Sequence, residues 1–511
     1  MTNLPPRSLI SAAASLCVLV LGLTAPAPAA TGGDPAASGV SEDGRYLSIA
    51  AGCAACHTAP GGKPYAGGTV LSTPFGKLAA PNITPDPETG IGGWTRDDFE
   101  AALRQGRGKD GMPLYPAMPY THYTGMTDAD IDGLWSYVKS LTPVTNKVEV
   151  NRLPFPFDIR ASLYLWQTLY FEPGRFEPDP AKSEEWNRGA YLTHALGHCG
   201  ACHTPRDALG GPLKDHEFEG ARIEEWYAPD ISNRPGSVIA DWDVDTLKAR
   251  LDGTDGGNHA MVGSMRDVAK ELKQMSDADL HAIATYLKDQ PARPEQSPAP
   301  AVAEAEIGAG TAELYQSKCQ ACHGADGRGT PGIAASLVGA GAVLADKPHN
   351  VISVLLEGIG PEGTYGVMPS FRPLSDTDIA RLANYVRSSW GNDAPATAGP
   401  DLVHALRRVT DSDPAALKAA YCPNVEAGKA DAALRARLAE LATHATVSPD
   451  EVRDLAGRYD ALNPGASRED RMRDLGGLMC QEVVKTGAGK STVILRELNL
   501  FNALMQDLNA G

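Results

Sequence analysis

Cys53-Ala54-Ala55-Cys56-His57 returns in this chain as Cys199-Gly200-Ala201-Cys202-His203 and again as Cys319-Gln320-Ala321-Cys322-His323. Each phrase places two thiols and an imidazole on one helical turn. Each thiol can add across a vinyl group of a porphyrin. The histidine then lies under the iron as its proximal ligand, so Cys-x-x-Cys-His is the attachment signal of c-type haem. At this composition the phrase should arise by chance about 0.004 times, so three copies are not accidental. A structural zinc site would need four ligands from paired motifs, and a redox dithiol has no use for three following histidines. The sequence therefore predicts three covalently bound haem c groups. Cys53, Cys56, Cys199, Cys202, Cys319 and Cys322 would attach them, with His57, His203 and His323 as iron ligands.

A haem iron with one protein ligand is a reactive site, whereas an iron with two is an electron carrier. Met118 lies nine residues before Thr127, Met265 eleven before Ser276 and Met368 seven before Ser375. Pro119 and Pro369 favour an extended chain at the first and third of these methionines, which lets the backbone cross the far haem face. An isolated methionine usually fills a gap in a core. Equivalent placement in three repeats points instead to Met118, Met265 and Met368 as distal ligands, a pairing with histidine that raises the potential. Met261 and His259 compete with Met265, and Met112 with Met118. His122, His194 and His198 are expected at the surface or in a secondary shell.

The elements that must position these groups also repeat. Gly44-Arg45-Tyr46-Leu47, Gly189-Ala190-Tyr191-Leu192 and Gly310-Thr311-Ala312-Glu313-Leu314-Tyr315 each begin nine or ten residues before a first cysteine and read as leading helices. Thr127-Asp128-Ala129-Asp130-Ile131, Ser276-Asp277-Ala278-Asp279-Leu280 and Ser375-Asp376-Thr377-Asp378-Ile379 each open a closing helix. A hydroxyl N-cap is followed at the third position by an acid, a variant of the capping box. Apolar residues follow at helical spacing, as in Ile131, Leu134, Tyr137 and Val138. Trp94-Thr95 and Trp242-Asp243 open middle helices in the first two units, where Asn82-Ile83-Thr84 corresponds to Asp230-Ile231-Ser232.

The expected fold is all-α, with three tandem cytochrome c domains at 40–147, 183–290 and 307–393 and a helical C-terminal domain at 395–511. Residues 291–306, rich in Pro, Ala and Glu, read as a linker. The segment 148–182 holds Phe155, Phe157, Tyr164, Trp166, Tyr170, Phe171 and Phe176 in a chain that is only 6% aromatic. It is expected to be a strap packed over the domain cores, with a contact surface for another subunit as the alternative. In the C-terminal part, helices are clearest over 432–442 and 493–508, and a Cys422–Cys480 disulfide is expected.

Residues 1–30 read as a secretory signal, with Arg7, an apolar run from Leu9 to Leu23 that includes Cys17, and Ala27-Pro28-Ala29 as the cleavage site. Fifteen apolar residues are short for a span of about twenty. The mature protein is expected in the periplasm, either soluble or bound at the periplasmic face of the inner membrane through a partner. A net charge of −17 argues against nucleic acid and anionic lipid as partners.

The chain resembles the triheme cytochrome c subunits of membrane-associated bacterial dehydrogenases acting on alcohols, gluconate, sorbitol or fructose. The resemblance is carried by Asn82-Ile83-Thr84-Pro85-Asp86, Thr89-Gly90-Ile91-Gly92-Gly93-Trp94, Tyr115-Pro116-Ala117-Met118-Pro119-Tyr120 and Leu153-Pro154-Phe155-Pro156-Phe157, with Met368-Pro369 and Asn384-Tyr385-Val386-Arg387 in the third unit. It covers roughly residues 40–392 and supports the three methionines as ligands; the C-terminal 110 or so residues depart from it. It implies electron transfer from a catalytic subunit of flavin, quinone-cofactor or molybdenum type to quinone or a terminal oxidase. The rival expectation is a multihaem peroxidase, which needs an open iron position.

Overall fold

The structure is a computed structural model that describes residues 44–254, 260–290, 310–360, 365–409, 425, 428–444 and 447–485. The expected signal segment, the linker at 291–306, His259, the Cys422–Cys480 bridge and the helix at 493–508 lie outside the described residues.

Six helices frame the haem phrases. α1 (Gly44–Ala50) leads into the first and α2 (Asp128–Ser140) closes that unit. α3 (Glu184–Tyr191) and α4 (Asp277–Lys288) do the same for the second, and α5 (Thr311–Lys318) and α6 (Asp376–Ser388) for the third. Within each unit the leading helix packs against the closing helix. In the first two the crossing is close enough to demand glycine. A Cβ on Gly44 would fall 2.1 Å from the Gly133 carbonyl oxygen, and one on Gly189 only 1.9 Å from that of Ala282. The tenth residue between Gly189 and Cys199, one more than in the other units, is taken up by a π-helical turn at Leu192–Leu196 and by His198 at φ 41°.

The N-caps form as the sequence predicts: Thr127, Ser276 and Ser375 accept the backbone N–H of Asp130, Asp279 and Asp378 at 3.1, 3.2 and 3.0 Å. The third-position acid stays beside its own cap only in the third unit, where Asp378 accepts from the Ser375 hydroxyl at 2.7 Å. In the other two it is diverted across an interface. Tyr191, from the second unit's leading helix, donates its hydroxyl to Asp130 in the first unit's closing helix. Tyr46 returns the contact to Asp279 at 2.5 Å. The backbone N–H groups of Thr127 and Ser276 donate to Tyr191 and Tyr46 at 3.2 and 3.1 Å. The first two units thus exchange tyrosines with approximate twofold symmetry and share one hydrophobic core that holds Leu47, Ile131 and Leu134 with Leu192, Leu280 and Ile283.

The third unit has its own core and docks on the second through Asn350, whose side chain bonds both backbone groups of Tyr227 at 2.8 and 2.9 Å. That core runs past the expected end at residue 393. α7 (Pro400–Val409) buries Val403 and Leu406 in it, and Arg407 bonds Asp376 at 2.9 Å. Further on, α8 (Ala432–Leu441), α9 (Pro449–Leu462) and α10 (Arg468–Lys485) enclose a separate core around Leu438, Leu455, Tyr459 and Leu475. Two small antiparallel sheets depart from the all-α expectation. β1 (Val70–Thr73), β2 (Gly76–Ala79) and β3 (Asn151–Arg152) lie in that order, and β4 (Ala221–Ile223) pairs with β5 (Trp226–Ala228).

The exchanged tyrosines differ in what they leave behind. Arg188 also holds Asp279, with Nε and Nη2 each at 2.9 Å, whereas Tyr191 is the only side-chain donor to the buried Asp130 among the described residues. Tyr191→Phe should therefore lower stability by about 1–3 kcal/mol and Tyr46→Phe by about 1 kcal/mol or less, measured by denaturant unfolding of the haem-loaded protein. Equal losses would show that Asp130 has another donor.

Candidate haem sites

All three expected proximal histidines are held in the same way. The Nδ1 of His57 bonds the Pro81 carbonyl oxygen at 2.7 Å, that of His203 the Pro229 carbonyl at 2.7 Å and that of His323 the Ala335 carbonyl at 3.1 Å. A carbonyl can only accept, so Nδ1 carries the proton and Nε2 presents its lone pair. Among the described residues no protein group hydrogen-bonds to Nε2 of any of the three. Burial pushes each imidazole's pKa down, which keeps it in the neutral, ligating form. Fixing one ring nitrogen so that the other can bind metal is the usual second-shell device of a histidine ligand.

The carbonyl is aimed by the residue that follows it. Asn82 accepts from the backbone N–H of Thr84 at 2.9 Å, Asp230 from Ser232 at 2.8 Å and Ser336 from Val338 at 3.1 Å. These are Asx- and Ser-type turns, in which a short polar side chain captures the backbone two residues on. A glycine at positive φ closes each site from the other side. Gly67, Gly220 and Gly329 donate their N–H to the carbonyl of the haem-phrase histidine at 2.7, 2.8 and 2.9 Å. A Cβ on Gly67 would lie 2.5 Å from the Pro81 carbonyl carbon, and one on Gly329 only 2.7 Å from that of Ala335. The matched Asn82 and Asp230 motifs were visible in the sequence without a role. The carbonyls and Ser336 gave no signal there.

The cysteines lie on the helical turns Cys53–His57, Gly200–His203 and Gln320–His323 or immediately before them. Burial pushes the Cys53, Cys199 and Cys319 thiols up to about 12 and Cys56 to about 11. At neutral pH these thiols therefore stay protonated. The first two attachment turns meet at one interface, where a Cβ on Gly200 would lie 3.2 Å from the His122 ring and one on Gly52 3.7 Å from His198. His122 and His198 lie in that interface, with ring centroids 6.4 Å apart, and burial takes the His122 pKa down to about 4. His122 Nδ1 bonds the His194 carbonyl at 3.0 Å and His198 Nε2 the Ala51 carbonyl at 3.3 Å. These two are interface histidines, not surface ones.

The three candidate distal methionines are half-buried. Met118 packs between the shared core and a cluster formed by Tyr120, Leu163 and Trp166. Met368 exchanges backbone hydrogen bonds with Ile359 at 2.8 and 2.9 Å and joins the third core. Met265 instead opens the helix Met265–Leu272, just after Gly263, which packs on the Trp226 ring. The methionines nearest the closing helices, Met126 and Met275, are buried in the shared core. The tail reaches the third phrase directly: Ala321, Cys322 and Val367 pack against the core formed by α8, α9 and α10.

Paired cysteines beside a tautomer-fixed histidine, on a turn between two crossing helices, define a c-type cytochrome. The comparisons agree. The cytochrome c family model matches residues 41–142, and that of cytochrome c oxidase, cbb3-type, subunit III, matches residues 308–386. The chain is 37% identical over 398 residues to the fructose dehydrogenase cytochrome subunit of Gluconobacter japonicus, covering 71% of this chain and 82% of that one. It is 36% identical over 397 residues to the alcohol dehydrogenase (quinone), cytochrome c subunit, of Gluconacetobacter polyoxogenes, covering 72% and 84%. A nicotinate dehydrogenase subunit of Pseudomonas putida is 38% identical over 368 residues; 70% of this chain aligns, but that is only 31% of the relative's length. The chain belongs to the family of cytochrome c subunits of dehydrogenases. It is an electron-transfer protein that carries covalent haem c and works with a dehydrogenase catalytic subunit.

Two outcomes follow from this geometry. Met265→Ala should turn one haem high-spin in the absorption spectrum while Met261→Ala leaves all low-spin; the reverse pair would reassign the ligand. A chain stopped after Val409 keeps the third core but loses the cover over Cys322. It should retain its haem content while one midpoint potential falls by tens of mV, on the order expected for exposing a haem edge. An unshifted redox titration would show that the tail leaves the third site's surroundings alone.

Proposed function

We propose that the chain carries three haem c groups in tandem domains over 40–147, 183–290 and 307–393, the last completed by α7. Cys53 and Cys56, Cys199 and Cys202, and Cys319 and Cys322 form the thioether links. His57, His203 and His323 are the proximal ligands, and Met118, Met265 and Met368 the distal ones. The observation that carries this reading is the histidine clamp, built three times from unlike residues around the same hydrogen bond.

When bound, haem supplies a one-electron couple at each site. The chain's own residues do the rest. The clamped imidazole stays neutral and oriented, and Met118, Met265 and Met368 close the opposite side to water and peroxide. The tyrosine exchange holds the first two sites in a fixed relation. Equal ligand types keep neighbouring potentials within reach of one another, since about 59 mV shifts a one-electron equilibrium tenfold.

The complex is read as periplasmic, taking electrons from an alcohol-, sugar- or aldehyde-oxidising subunit and delivering them to quinone or a terminal oxidase. The Gluconacetobacter relative, the cytochrome c subunit of an alcohol dehydrogenase (quinone), supports quinone as acceptor. Mass spectrometry of the mature chain should show three haem adducts. Addition of substrate to the copurified complex should reduce all of them. Two or fewer adducts, or haems that stay oxidised in the presence of active catalytic subunit, would contradict the proposal.

A further inference from the structure

The helix Met265–Leu272 joins the first two haem sites. Its first residue is the candidate distal ligand of the second, and its last turn lies against the attachment turn of the first. There the Glu271 carboxylate approaches Gly52, the residue at φ 63° directly before Cys53. A Cβ on Gly52 would fall 3.3 Å from Glu271 Oε2, so a side chain at that position would crowd the acid. Glu271 is half-buried, and among the described residues no Lys, Arg or His forms an ion pair with it. Other buried acids of the second unit are paired: Asp279 with Arg188, and Asp230 and Glu219 with Arg234. Glu271 stands apart from them.

Burial works most strongly against its charge. The Ala55 backbone N–H favours the carboxylate by less, and Asp267, one turn back, repels it, so the pKa rises to about 7. The end of its helix gives no help, because the carbonyls there carry partial negative charge. The groups around it keep their own protonation states. Cys53 and Cys56, facing it from the attachment turn, have no proton to exchange once they are thioethers. Tyr123 donates its hydroxyl to the Ala51 carbonyl at 2.6 Å, and burial raises its pKa far beyond neutrality. His198, on the other side of Gly52, donates Nε2–H to the same carbonyl at 3.3 Å, and burial keeps it neutral. Nearby cations are engaged: Lys270 with Asp267 at 2.7 Å and Arg266 with the Gly360 carbonyl at 3.4 Å. On the adjoining helix Val244–Asp252, Lys248 pairs with Asp252 at 3.0 Å and Arg250 lies 3.9 Å from the centre of the Trp242 ring. Lys273 lies over Gly253, and Arg45 is seven residues before Gly52 on α1. Of this set, Glu271 is the group whose charge changes near neutral pH.

We propose that Glu271 is the proton partner of the first haem site, binding a proton when an electron arrives there and releasing it when the electron leaves. The charges balance without a further reactant. The catalytic subunit supplies the electron, solvent supplies the proton, and the carboxylate becomes a neutral carboxyl with no bond to the cofactor made or broken. Proton uptake stabilises the added electron. The site's midpoint potential therefore falls as pH rises between the acid's two titration points, by at most tenfold in the equilibrium, about 59 mV, per pH unit. Below both points the acid is neutral throughout, above both it is charged throughout, and the potential is flat. Glu271 is thus a tuning residue that acts through its charge. The inference rests on the reading that Cys53 and Cys56 attach haem, which the mass of the chain tests independently of any titration.

The test is a spectroelectrochemical titration of the haem-loaded full chain at a series of pH values across neutrality. Glu271→Gln keeps the size and the acceptor oxygen of the side chain but carries no charge. It should remove the slope of one haem potential and leave the other two as in the parent. The affected potential should meet the parent's at acid pH and exceed it at alkaline pH, by roughly tenfold in the equilibrium constant. Asp267→Asn, at an exposed position, removes the repelling neighbour and should move the sloping region to lower pH with Glu271 in place. Redox difference infrared spectra should show a protonated carboxyl appearing on reduction of the parent and missing from Glu271→Gln. A slope that survives in Glu271→Gln overturns the proposal, as do three pH-independent potentials in the parent. If Glu271→Gln loses its low-spin spectrum, an unmoved slope in Asp267→Asn or an absent carboxyl band in the parent is enough to overturn it. A chain whose Cys53 and Cys56 carry no haem overturns the haem assignment itself, a failure read from mass alone.

Discussion

One hydrogen bond sets the terms for the rest of this molecule: a backbone carbonyl accepting Nδ1–H from a buried histidine. It fixes the tautomer, the ring plane and the direction of the free lone pair. Removing such a partner typically costs 10–100-fold in metal affinity or activity. It also constrains the chain on both sides. The carbonyl must be aimed, which Asn82, Asp230 and Ser336 do through local turns. The histidine's own carbonyl must be met, which requires a glycine at positive φ where any Cβ would strike the aimed turn. The crossing of leading and closing helices then places the turn. At Gly44 and Gly189 that crossing is too close for a side chain.

The three sites share the clamp but not their surroundings. The first two units are joined by exchanged tyrosines and a common core, and their attachment turns meet at one interface. The third unit has Tyr315 inside its own core, against Tyr385 and Trp390, so it has no tyrosine to exchange. Its third-position acid stays local and accepts from the Ser375 hydroxyl. What the third unit lacks in a twin it gains from α7 and from the tail core lying on Cys322 and Val367. Two of the sites behave structurally as a pair, and the third is finished by chain that follows it.

Local signals in the sequence were strong where one residue type does one job. The haem phrases, the hydroxyl N-caps at Thr127, Ser276 and Ser375, and the helical spacing after them are of that kind. The inner half of the aromatic strap behaves as a packed cover, with Trp166 buried against the Met118 loop. What was not legible depends on partners distant in sequence. Tyr46 and Tyr191 stand in the leading helices with no sign of their role, because nothing in either helix shows a carboxylate 233 or 61 positions away. The clamp's acceptors are backbone carbonyls, which every residue carries. The small sheets consist of strands of two to four residues, too short for an alternating pattern to show. Val403 and Leu406 carry no mark that assigns α7 to the unit before it and not to the helices after it.

The proposal that every haem site is closed on both sides would make the chain a carrier of electrons and not a peroxidase. Carbon monoxide added to the fully reduced, haem-loaded protein tests this directly. An absorption spectrum that stays that of low-spin, six-coordinate haem is the predicted result. A stoichiometric carbon monoxide complex at even one haem would contradict the account, because it would reveal an iron whose sixth position is open to small molecules.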